Sequence, residues 1–216
     1  MAKEKKIKRV LLGVITNKGN MPTYFVKSLF EIFEFTRANG IKADIRTFDS
    51  VEVQIMRNKC CNHAIDEGYD YVFMLDTDMK YPRDSVVKLI KHNKDFVVGS
   101  ATQRTYPFFP TQYKKFSKDN FKSKENRVFI TKENKELIEI GSSGVVGALI
   151  KVSCLKKLKI PYFKLEYYED GLDFTGSDVY FCKQLIENKI KLFLDPAINY
   201  EHEILAFHDS FGINLF

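Results

Sequence analysis

Two carboxylates one residue apart, Asp76 and Asp78, directly follow the apolar run Tyr71-Val72-Phe73-Met74-Leu75 and precede Met79-Lys80-Tyr81-Pro82. Carboxylates crowded at the rim of a buried sheet lose hydration and repel each other, so they call for a cation. A hard divalent ion such as Mn²⁺ or Mg²⁺, taken through oxygen, meets that need and would offset charge on a departing diphosphate. The spacing alone says little: with 14 Asp among 216 residues, chance supplies about one Asp-x-Asp. The information lies in the context, an apolar run before the triplet and a helix start after it. The plain alternative is that the pair ends a strand and caps the helix at Pro82.

The elements that must hold these residues can be read from hydrophobic periodicity. Val10–Thr16 is almost wholly apolar, the pattern of a strand buried on both faces. Pro22 suits the first position of a helix in which Phe25, Leu29, Ile32, Phe33 and Thr36 recur at helical spacing until Asn39-Gly40 stops it. Ile41–Phe48 reads as a second strand, Val53–Glu67 as a second helix and Tyr69–Leu75 as a third strand. Pro82–Asn93 then reads as a helix and Asp95–Ser100 as a strand. This alternation predicts an α/β fold with a mostly parallel central sheet, right-handed crossovers and helices on its faces. Ligands gather at the carboxyl ends of such strands, and Thr16, Asp49, Asp76 and Asp78 all stand there.

The second half is less regular. Gln103–Pro110 reads as an ordered loop, Lys114–Lys135 as a charged surface excursion, and Leu137–Ile140 and Val145–Val152 as short strands around Gly141-Ser142-Ser143-Gly144. Those glycines would let backbone approach a ligand closely, or simply make a tight turn. Asp173–Glu187 becomes helical, and Lys191–Phe193 is a last strand leading to Asp195-Pro196. Asp178 and Ser177 could serve as N-terminal caps of that helix.

Taken in order, Arg57-Asn58, Ala64, Gly68 through Asp78, Pro82, Asp95–Gly99, Gly141–Leu149, Pro161–Phe163, Gly176-Ser177-Asp178, Asp195 and His202 resemble the GT-A glycosyltransferases, most of all the family-2-like group. The likeness runs from Val10 to about His202 and implies one GT-A domain over residues 1–216, with a basic tail at 1–9, a charged excursion at 114–135 and a small antiparallel extension. It implies that Asp78 binds the metal directly, that Asp76 meets the ribose or the metal's water shell, and that His202 completes the Mn²⁺ or Mg²⁺ site, with Glu201 and Glu203 as rival oxygen ligands. Thr16, Asp49 and Arg57 match positions that hold the nucleotide, and Ser143 and Gly144 fall where the donor is approached. Asp178 matches the base that takes the acceptor proton, although Ser177 replaces the family's usual first acid. A base there would give in-line attack with inversion at the anomeric carbon, whereas a site with no base on the attacking side would allow retention. The implied partners are a nucleotide-sugar donor, UDP-sugars favoured, and a glycan or glycoprotein acceptor. The small size and Lys- and Phe-rich composition also resemble compact glycosyltransferase modules of large algal, chlorella-type viruses, which would place the chain in host cytoplasm and is compatible with one part of a larger multidomain protein.

The net charge of +6 could suit nucleic acid or phosphorylated ligands, but acidic residues interleave the basic ones and no nucleic-acid recognition motif accompanies them. Cys60, Cys61, Cys154 and Cys182 show no metal-binding spacing and read as free thiols in a reducing compartment. With no signal-peptide pattern at the start and no apolar run long enough to span a bilayer, a cytoplasmic location is expected. The aromatics Tyr106, Phe108, Phe109, Tyr113, Tyr162, Phe163, Tyr167 and Tyr168 could build a sugar-stacking wall or fill the core. Two rival functions remain: a sugar-nucleotide-forming nucleotidyltransferase, whose phosphate-binding loop after the first strand is poorly matched by Thr16–Asn20, and a non-catalytic carbohydrate-binding module.

Overall fold

The computed structural model describes residues 7–16, 19–116, 123–131, 133–169, 171–172, 174–203, 206–209 and 212–215. Most of the basic tail, part of the Asn17–Asn20 turn and the middle of the charged excursion lie outside the described residues. The chain opens with β1 (Arg9–Thr16), α1 (Thr23–Ala38), β2 (Lys42–Asp49), α2 (Val53–Asp66) and β3 (Tyr71–Asp76). There follow β4 (Met79–Lys80), α3 (Ser85–Lys91), β5 (Phe96–Ser100), β6 (Gln112–Tyr113), β7 (Ile138–Ile140) and β8 (Ser142–Ser143). The remainder comprises β9 (Ala148–Lys151), α4 (Val152–Leu155), β10 (Glu166–Tyr167), β11 (Phe174–Thr175), α5 (Ser177–Glu187), β12 (Leu192–Asn199), β13 (Glu201–His202), β14 (Ala206–Asp209) and β15 (Gly212–Leu215).

Seven strands form one sheet in the order β2-β1-β3-β9-β5-β12-β7. β2, β1, β3, β5 and β12 run one way, while β9 and β7 run against them. The sheet is therefore mostly parallel, with four small antiparallel pairs beside it among the described residues. The β1-to-β2 and β2-to-β3 crossovers step in opposite directions, so their shared right-handedness puts α1 and α2 on opposite faces. Burial follows: Val10, Leu11, Leu12 and Val14 of β1 and Val72 through Leu75 of β3 are wholly buried. Residues covered on both sides must be apolar in succession, which is the pattern these strands carry.

Several boundaries differ from the sequence-based expectation. Pro22 precedes α1 instead of opening it, and α3 spans only Ser85–Lys91. Within Val145–Val152 only Ala148–Lys151 is strand, and it is inserted antiparallel between β3 and β5. The reversal depends on Gly147, whose φ of +65° and whose place 2.2 Å (at a would-be Cβ) from the Tyr200 ring exclude any side chain. β12 does not stop at Asp195 but runs to Asn199 through a register shift, a bulge that accommodates Pro196 inside the strand. All four cysteines are free and buried. No helix among the described residues is long and apolar enough to cross a membrane.

Candidate functional site

The ends of β1 and β3 lie side by side, Ile15 against Asp76, while Thr16 pairs with Asp49 at the end of β2. Above this rim opens a cleft of about 500 Å³ between the starts of α1 and α2. Asp76, Thr77 and Asp78 form one wall, Pro22, Val53 and Met56 supply apolar surface, and Arg104 and Glu203 close the far side. Thr16 is buried, its hydroxyl donating to the carbonyl of Asn20, a cleft-lining residue, at 3.2 Å. Asp49 is exposed at the neighbouring strand end.

Asp76 is fixed through its backbone. Its N–H donates to the Tyr81 hydroxyl at 2.9 Å, and that hydroxyl donates back to the Asp76 carbonyl at 3.2 Å. Tyr81 is itself packed edge-on against Tyr200 at 5.0 Å and Phe73 at 6.0 Å. One side-chain oxygen of Asp76 accepts from Arg57 Nη2 at 2.9 Å, while Oδ1 is buried without a protein partner. Burial lifts the Asp76 carboxyl above the usual range; Arg57 pulls it down, and the Asp78 charge pushes it up again.

Arg57, 4% exposed on α2, is the centre of a second constellation. Its Nη1 donates to Asp178 Oδ1, so one guanidinium holds both carboxylates. Asp178 sits in the first turn of α5, and its Oδ2 accepts the Val145 N–H at 3.1 Å. The structure thereby brings Arg57, Asp76, Asp178 and the Gly144–Val145 turn together, a Cβ on Gly144 falling 3.8 Å from Asp178 Oδ2. Ser143 is buried and spends its hydroxyl on the Gly144 carbonyl at 2.6 Å. Gly141 has a packing reason of its own: a Cβ there would fall 2.3 Å from the Phe116 nitrogen.

Asp78 and His202 meet because β4 pairs with β13, placing His202 opposite Met79. His202 Nε2 lies 3.2 Å from Asp78 Oδ2, and its Nδ1 donates to the Thr102 carbonyl at 2.7 Å. Burial opposes the charged form of Asp78, but the His202 hydrogen bond and the charges of His202 and Arg104 outweigh it and hold the carboxyl below its usual value. For His202 burial acts downward, yet the Asp78 and Thr102 hydrogen bonds win and raise it. Arg104 Nη1 stands 3.5 Å from Asp78 Oδ2. Sequence reading missed Arg104, and only its place in the ordered Gln103–Pro110 loop hinted at it.

These residues suit a divalent ion only in part. The Thr102 carbonyl holds the proton of a neutral His202 on Nδ1, leaving Nε2 free to ligate beside Asp78. The unpartnered Asp76 Oδ1 could accept from the ion's water shell. Among the described residues, however, no three His, Cys, Asp or Glu side chains are gathered to hold an ion unaided. A Mg²⁺ or Mn²⁺ here would depend on ligand phosphate oxygens to fill its shell, as such ions commonly do.

No protein-family model and no curated protein sequence matches the chain. Among solved structures it is similar to A197 from STIV, with a TM-score of 0.57 and 19% identity over 91% of this chain and 86% of that one. It is also similar to the catalytic domain of Drosophila β1,4-galactosyltransferase 7, with a TM-score of 0.52 and 12% identity over 88% of this chain and 65% of that one. A UDP-glucose pyrophosphorylase from Acinetobacter baumannii superposes with a TM-score of 0.48 and 8% identity, covering 91% and 88% of the two chains. At such identities the likeness is one of fold, and that fold is a GT-A-like α/β arrangement.

Proposed function

We propose that the chain is a metal-dependent glycosyltransferase, moving a sugar from a nucleoside-diphosphate sugar, a UDP-sugar by preference, to a hydroxyl of a glycan or glycoprotein. The observation that carries this reading is the convergence of three charged groups on one rim. They are Asp78 with His202 and Arg104, Asp76 on Arg57, and Asp178 on the same Arg57. The apolar wall of Pro22, Val53 and Met56 would take the base of the nucleotide, beside the β1 and β2 ends that carry Thr16 and Asp49. Asp78 and His202 would hold Mn²⁺ or Mg²⁺, with Asp76 at its water shell. When bound, the ion supplies positive charge against the leaving diphosphate.

Arg57 holds Asp178 Oδ1 in an ion pair, so that oxygen is occupied while the pair stands. A diphosphate in the cleft competes for the same guanidinium, and transfer of Arg57 to it would free Asp178 Oδ1 to take the acceptor proton. The Val145 N–H would hold the carboxylate in place meanwhile. In-line attack with Asp178 as base inverts the anomeric carbon.

The test is thermal melting with UDP-, GDP- and dTDP-sugars, with and without Mn²⁺. A nucleotide at one hundred times its Kd adds about 2.7 kcal/mol, or about 5–11 °C for a domain of this size. The expected result is a shift with UDP-sugars that needs the metal, accompanied by slow donor hydrolysis that Asp78→Ala abolishes while circular dichroism stays unchanged. No shift with any nucleotide-sugar, or turnover unaffected by Asp78→Ala, removes the proposal.

A further inference from the structure

A second cavity, of about 730 Å³, lies over the carboxyl ends of β5 and β12. Its floor is the paired Ser100 and Asn199. Phe108, Phe109 and Phe129 form its walls, with Thr131 and Asn134 among them. Phe129 is 50% exposed and meets Phe109 edge-on, ring centroids 6.3 Å apart at 86°.

The wall is built stiffly. Arg127, 4% exposed, lies over the rings of Phe109 at 5.5 Å and Tyr113 at 4.5 Å, and donates to the Pro110 carbonyl at 2.6 Å. A ring backed by a buried cation has little freedom to turn away. Phe108 has a φ of +53°, a left-handed conformation uncommon for a bulky residue, held by its N–H donating to the Thr105 carbonyl at 2.8 Å. Strain of this sort persists where the surroundings impose it, often beside a ligand.

The two cavities share a partition. Thr102 and Asn199 face the second, Arg104 and Glu203 face the nucleotide-side cleft, and the His202–Thr102 hydrogen bond ties the partition together. Aromatic faces set among amides and hydroxyls match a sugar ring, which offers C–H groups on its faces and hydroxyls around its edge. Asn134 Oδ1 already accepts from the Thr131 N–H and hydroxyl, but a lipid chain would strip water from the Asn199 side chain and the Asn134 Nδ2 and give nothing in return.

We propose that this second cavity binds a saccharide, laid against Phe129 and Phe109 with its hydroxyls on Asn199 and Asn134, and that it receives the acceptor glycan. The acceptor role rests on the transferase reading above; saccharide binding does not. A glycan long enough to pass Thr102 would bring its reacting hydroxyl from this cavity to the Asp78–His202 rim.

The experiment probes an array of defined oligosaccharides with the full chain in the presence of UDP and Mn²⁺, beside Phe129→Ala and Asn199→Ala. Both side chains are exposed, so the variants should melt as the wild type does. The expected result is a defined set of retained glycans whose binding weakens about tenfold or more in each variant, with the UDP-dependent melting shift unchanged. Retention of no glycan by the wild type, or equal retention by both variants, overturns the inference even if the nucleotide shift is present. Variant-sensitive glycan retention without any nucleotide shift keeps the saccharide site and sinks the transferase reading instead.

Discussion

Replacing Arg57 by Met removes the one cation between Asp76 and Asp178 while keeping similar side-chain bulk on α2. Two carboxylates then face each other without a counter-charge. Deleting one partner of a buried ion pair costs about 3–5 kcal/mol. Both Asp side chains are 24% exposed, so water reaches them and the lower end, about 3 kcal/mol, applies. Arg57 Nε is buried without a hydrogen-bond partner, and removing that orphan returns about 1 kcal/mol. The net loss is about 2 kcal/mol, or about 4–8 °C in Tm for a domain of this size. The pH dependence has a definite sign. Asp76 already sits above its unfolded value through burial, and without Arg57 it rises further. A raised carboxyl destabilises the fold above its pKa and stops doing so once protonated, so the deficit of the variant shrinks as pH falls. Chemical and thermal denaturation across pH measure this, with Asp178→Asn and the double variant closing a cycle. Since the amide oxygen can still accept the Val145 N–H, Asp178→Asn should recover at least about 1 kcal/mol in the Arg57→Met background. A melting temperature within about 1 °C of wild type, a deficit independent of pH, or strict additivity in the cycle would refute the shared-guanidinium reasoning.

Other perturbations have equally defined outcomes. His202→Ala should weaken Mn²⁺ in the UDP complex by about tenfold or more, read by calorimetry, and chelation with EDTA should erase the Mn²⁺-dependent melting shift of the wild type. Because Asp78 and Thr102 raise the His202 pKa and a metal needs the neutral ring, Mn²⁺ affinity should fall as pH drops through that raised value; an affinity flat from alkaline to acidic pH would exclude His202 as a ligand. Gly147→Ala places a Cβ 2.2 Å from the Tyr200 ring at a φ of +65° and should cost roughly 3 kcal/mol, seen as a lower Tm. An unshifted Tm would show that the β9 reversal tolerates a side chain.

Residue pattern alone was enough for the elements whose residues answer to their immediate surroundings. β1, β3 and β5 are buried on both faces and must be apolar in unbroken runs, so their positions could be read directly, and with them the place of Asp76 and Asp78 at a strand end. α1 and α2 were legible for a similar reason, since a one-sided helix repeats its apolar positions every three to four residues. The charged constellation was legible only as a set of candidates. That Arg57 grips both Asp76 and Asp178 is decided by a contact spanning 121 residues, and local patterning is blind to such distances. Likewise His202 reaches Asp78 only through the β4–β13 pairing, two-residue strands too short to show any period. The antiparallel insertion of β9 and the continuation of β12 past Pro196 belong to the same class. A strand's direction and partners are fixed by what the rest of the sheet leaves open, and the bulge that admits the proline exists only once β5 lies beside it.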